Sequence, residues 1–121
     1  MLFCAHAVFH FKVENQDSVL LYENVYLVDA EDDQRALVIA TQVAESKQDL
    51  NEDGNLQLNG KPAMLLFSGI RKIIEIEGQS HDSQGRLVSG TELTYSVFEV
   101  DTLEEVQRIV AGEMVDVLYR E

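Results

Sequence analysis

The chain has 121 residues, the size of a single domain spanning 1–121, with an apolar fraction of 45% that suits an ordinary globular core. Nine basic side chains against twenty-two acidic ones set the formal charge at −13, which disfavours phosphate backbones and anionic membrane surfaces and suits a basic protein partner or simple solubility. Cys4 is the only cysteine, so no internal disulfide forms; this fits a reducing cytoplasm, and no apolar run reaches the ~18 residues that span a bilayer.

Residues 2–14 alternate, with Phe3, Ala5, Ala7, Phe9, Phe11 and Val13 on one face and Cys4, His6, Val8, His10 and Lys12 on the other. Period-two alternation rich in aromatic and β-branched residues predicts a half-buried strand. The start lacks the basic residues of a signal peptide, so export is not expected. The polar cluster 14–18 predicts a turn, and Val19–Val28 a second strand, the pair forming a hairpin. Leu21, Glu23, Val25 and Leu27 share one of its faces.

Asp29, followed by acidic residues at 31–33, predicts an N-cap and a helix over about 31–47. Ala36, Leu37, Ala40, Val43 and Ala44 supply its apolar stripe, with alanines small enough for close approach to a sheet. Residues 48–62 are polar and read as a long loop. Ala63–Glu77 predicts a third strand, with a bulge or bend at Gly69. The stretch 78–90 reads as a loop and Thr91–Val100 as a fourth strand. Asp101 or Thr102 caps a second helix, Thr102 and Glu105 having capping-box spacing. Leu103, Val106, Ile109 and Val110 are its expected buried stripe, Gly112 its C′ residue, and Met114–Tyr119 a fifth strand.

The predicted order is therefore β-β-α-β-β-α-β, an α+β domain. Its expected architecture is a mostly antiparallel five-stranded sheet with both helices on one face, related to the ferredoxin-like split arrangement. The uncovered, partly apolar face of such a sheet favours a homodimer.

The most definite chemical motif is Asp49, Asn51, Asp53 and Asn55 around Gly54. Alternating oxygen ligands before a glycine match the first half of a calcium-binding loop. The twelfth position is Gly60 where a bidentate glutamate belongs, and the same residues also make ordinary polar turns. Cys4, His6 and His10 share a strand face and are good ligands for zinc or copper. Residues four apart on a strand lie ~13 Å apart, so this set does not converge on one ion by itself. His81 stands alone in a loop. No nucleophile elbow and no phosphate-cradling glycine loop is present. Arg71 and Lys72, an adjacent basic pair, are expected to meet a carboxylate such as Glu99 or Glu92 on a neighbouring strand, the alternative being a small bound anion.

Three stretches carry a family resemblance: residues 22–28 entering an acidic helix, residues 67–72, and Thr91–Val100 followed by the Leu103-Glu104-Glu105 helix and the ending 115–119. Together they resemble the short bacterial proteins grouped as domain of unknown function 4288. The resemblance implies a bacterial, cytoplasmic protein and brings no assigned activity and no catalytic residues. The expected function is a non-enzymatic binding or interaction module. The alternatives are a small-ligand sensor or small enzyme with a pocket near Tyr22, Tyr26 and Arg71, and calcium binding through the 49–55 loop.

Overall fold

The computed structural model describes residues 1–76 and 87–120. Strand β1 (Leu2–Val13) and strand β2 (Leu21–Asp29) form the expected antiparallel hairpin, in register from Leu2 opposite Asp29 to His10 opposite Leu21. The odd-numbered face of β1 is the core: Phe3, Ala5, Ala7, Phe9 and Phe11 are all buried. Helix α1 (Asp33–Ser46) lies on that face through Ala36, Ala40 and Ala44, each with no solvent exposure. Residues spaced by four stack on one side of a helix, and a methyl-sized side chain lets the helix settle close to the phenylalanines below.

The start of α1 differs from expectation. Asp32 is the N-cap, its Oδ1 accepting the Arg35 amide at 2.7 Å, while Asp29 closes β2 opposite Leu2. Either aspartate has the chemistry of a cap; pairing with β1 keeps the backbone of Asp29 in the sheet. Leu37 is exposed on the helix flank.

The segment expected to be loop up to residue 62 contains strand β3 (Gln57–Leu58), which turns through Asn59 and Gly60 into strand β4 (Lys61–Glu75). Asn59 at φ 53 and Gly60 at φ 79 are both left-handed, as a two-residue turn matched to strand twist demands. The sheet order is β2-β1-β4-β3. Its β1–β4 ladder shifts register twice, between His6 and Ala7 and between Val8 and Phe9. Ser68 and Arg71 are the unopposed residues at these bulges, and Gly69 takes φ 155 beside the first. The core-facing positions of β4 consequently run Leu65, Phe67, Ile70, Ile73, stepping by three at each bulge.

The C-terminal arm departs most from expectation. Strand β5 (Phe98–Glu99) and strand β6 (Leu118–Tyr119) pair with each other as a separate two-stranded sheet, so a four-stranded sheet plus this ribbon replaces the single five-stranded sheet. Residues 91–97 and 114–117 are not strand. Alternation marks an extended chain with two unlike sides, and such a chain can lie across a sheet face without joining its ladder.

Helix α2 (Leu103–Val110) has the expected caps. Thr102 Oγ1 accepts the Glu105 amide at 3.2 Å, and Gly112 at φ 81 ends the helix, with the amides of Gly112 and Glu113 donating to Ile109 and Arg108 carbonyls. Its stripe is not buried: Leu103 is 77% and Val110 79% exposed, and no residue of α2 is buried. Among the described residues, α1 is the helix that packs on the sheet. The loop expected over 78–90, with His81, lies largely outside the described residues.

Candidate functional site

The even-numbered face of β1 carries Cys4 and His6, both buried although no helix covers them. The C-terminal arm covers His6. Parity places Glu23 on the same face, opposite Val8 and diagonal to His6, where its carboxylate accepts a hydrogen bond from the imidazole Nδ1. The bulge in β4 places Arg71 on this face as well. Its Nε donates to Glu23 Oε2 at 3.0 Å and its Nη2 to Oε1 at 2.8 Å, a two-pronged pair. On the far side of the imidazole, Nε2 lies 2.5 Å from Thr94 Oγ1. Residues from β2, β1, β4 and the arm thus form one polar chain: arginine, carboxylate, imidazole, hydroxyl.

Further contacts fasten the arm. Lys72 Nζ donates to the Tyr95 carbonyl and reaches Ser96 Oγ at 3.3 Å, and the Arg71 guanidinium sits 4.7 Å over the Tyr119 ring. A bulge brings adjacent residues to one side of a sheet, so Arg71 and Lys72 both face the arm. Arg71 meets Glu23, two strands away across β1, while Glu99 pairs with Arg120 at 2.9 Å. At the other bulge Ser68 Oγ meets His10 Nδ1 at 2.6 Å.

The Arg71 guanidinium holds the Glu23 carboxyl below its ordinary range; partial burial opposes this, and the bond from His6 adds to it. Glu23 is therefore ionised, and its demand for a donor assigns the Nδ1 proton to the carboxylate side of His6. In the neutral ring Nε2 is then the acceptor for the Thr94 hydroxyl. Carboxylate, imidazole and hydroxyl in this order polarise a nucleophile when a substrate can reach the hydroxyl. Hollows among the described residues lie elsewhere. One of about 450 Å³ is lined by residues including Lys12, Val13, Leu50 and Met64, and another of about 460 Å³ by the β1–β2 turn with Leu58 and Lys61. The contacts of His6 and Lys72 join residues 94–96 to the sheet.

The structure separates Tyr22 and Tyr26 from Arg71. Both tyrosines pair with core-facing residues of β1, Phe9 and Ala5, and the Tyr22 ring meets Phe11 edge-on at 5.3 Å. Strand alternation puts them on the face opposite Arg71, so the anticipated three-residue pocket is not formed.

Asp49, Asn51, Asp53 and Asn55 do share one tight loop. Asp49 Oδ1 accepts the Asn51 amide at 2.8 Å, and Asp53 Oδ1 the Asn55 amide at 3.1 Å. The Asn51 side chain bridges to both the amide and the carbonyl of Leu56, at 2.9 and 3.1 Å. These are turn-forming bonds. Among the described residues, no group of three His, Cys, Asp or Glu side chains is placed to hold a metal ion. Cys4 sits within β1, and burial pushes its thiol pKa up.

Hairpin parity could have found the His6–Glu23 contact in the sequence, since both residues fall on the non-core faces of adjacent strands. Nothing in the sequence marks Thr94, which is 88 residues from His6. No protein-family model, curated protein or solved structure matches the chain.

Proposed function

We propose that the chain is a non-enzymatic interaction module whose C-terminal arm is a docking surface for a protein partner. The observation that carries this is α2. Eight residues make a helix too short to persist in water by propensity, and helices in proteins owe most of their stability to packing of an apolar face. Here that face, with Leu103, Val106 and Val110, has no cover among the described residues. The clasp of Glu23, His6, Arg71 and Thr94 holds the root of the arm, so the surface is presented on a fixed base.

Amide hydrogen exchange over a dilution series tests the reading. Residues 103–110 are expected to exchange rapidly at the lowest concentration, where no partner is present. Protection that persists undiminished on dilution would show that the chain covers its own helix, and would overturn the proposal.

A further inference from the structure

We infer that the partner is a second copy of this chain, joined edge to edge through β2 about a two-fold axis at Asn24. The inference rests on the interaction reading above and names both the partner and a second part of its surface. Strand β2 ends the sheet, and among the described residues nothing pairs with its outer side. It is nine residues long, in unbroken register with β1, and has no lysine, proline or bulge to blunt it. Such an edge is a ready template for another strand.

Backbone parity says which groups it offers. Phe11 donates its amide to the Leu20 carbonyl and Ala30 donates to Met1, so even-numbered residues of β2 exchange bonds with β1. In an antiparallel ladder the odd-numbered ones, Leu21, Glu23, Val25 and Leu27, then turn N–H and C=O outward. Leu21, Val25 and Leu27 are 57%, 47% and 65% exposed.

Charge selects the register. An axis at Asn24 sets Leu21 against Leu27 of the other copy and Tyr22 against Tyr26, all favourable cross-strand pairs. Moving it to Val25 opposes Leu21 with Asp29; moving it to Glu23 opposes two glutamates. The overall charge of −13 does not forbid self-association here. Between residues 21 and 28 the only ionic side chain is Glu23, and Arg71 compensates it.

Light scattering at micromolar concentration is expected to return twice 13.6 kDa for the native chain and 13.6 kDa for Leu27→Lys, which sets a charge against the apolar Leu21 of the other copy. Asn24→Cys tests the register independently of stability. Residues facing each other in a non-hydrogen-bonded pair have Cα atoms ~4.5 Å apart, within disulfide range, so mild oxidation should yield a covalent dimer. In the same register the two copies of Asp29→Cys lie ~34 Å apart and should stay unlinked. A dimer mass with no Asn24→Cys cross-link would overturn the β2 surface and leave the interaction reading standing. A monomer mass for the native chain would overturn the second copy as partner, with the exchange behaviour of α2 still deciding whether another protein docks there.

Discussion

Glu23 and Arg71 stand 48 residues apart in sequence and meet through two parallel hydrogen bonds, at 2.8 and 3.0 Å, across the hydrogen-bonded strand that separates them. Neither carries this geometry locally. The carboxylate arrives by the parity of a hairpin, and the guanidinium by a bulge that turns Arg71 out of the alternation of β4. The pair then supplies the acceptor that orients His6, and His6 holds Thr94.

Replacing the carboxylate should loosen the whole chain of contacts. Glu23→Gln keeps the shape and removes the carboxylate charge that receives both prongs of the three-quarters-buried Arg71 guanidinium. A loss of about 2 kcal/mol in unfolding free energy is expected from denaturant titration, against about 1 kcal/mol for Thr94→Val, which removes one neutral hydrogen bond. A Glu23→Gln variant as stable as the native chain would show that the fork contributes nothing net.

Acid should act through the same carboxyl. Its native pKa lies below the ordinary value of 4.5, chiefly because of Arg71, so the native state binds its proton less readily than the unfolded chain. The stabilisation is complete above the unfolded value and is lost as pH falls through the native one. The stability difference between the native chain and Glu23→Gln should thus be flat from neutral pH down to the ordinary carboxyl range and narrow below it. Urea midpoints measured along that series check this; a difference that narrowed between pH 8 and 6 would assign it to another group.

The β3–β4 turn offers a purely backbone test. Gly60 has φ 79, and a Cβ built there meets nothing within 4 Å, so Gly60→Ala costs only the left-handed strain. That strain is about 1–2 kcal/mol for an L-residue, read as a lowered unfolding midpoint. Asn59→Gly, at the neighbouring left-handed position, should change stability much less. An unchanged midpoint for Gly60→Ala would mean that this turn is not closed in solution.

Much of the fold could be read from residue order, and the misses share a cause. Alternation located β1, β2 and β4, the alanine stripe located α1, and Thr102 with Glu105 located the start of α2. Asn59-Gly60 carried a hairpin signal inside a segment otherwise polar enough to read as loop. The alternation of 91–100 and 114–119 suggested two full strands, and only the pairs 98–99 and 118–119 form ladders. Periodicity reports which sides of a chain differ; pairing depends on which strand edges remain open. The candidate site was less legible, because its members come from four separate stretches and only the His6–Glu23 contact follows from a local hairpin.

The sequence by itself determined the local elements, the caps, the acidity and the core face of β1, since each depends on neighbours within a turn or a hairpin. The tertiary structure decided three further things. Bulges in β4 turned Arg71 toward Glu23 and Ser68 toward His10; the arm lay over the second sheet face; and, among the described residues, nothing covers α2 or the outer edge of β2. Those outcomes depend on how elements far apart in the chain compete for one surface, and residue spacing within any one element does not record that competition.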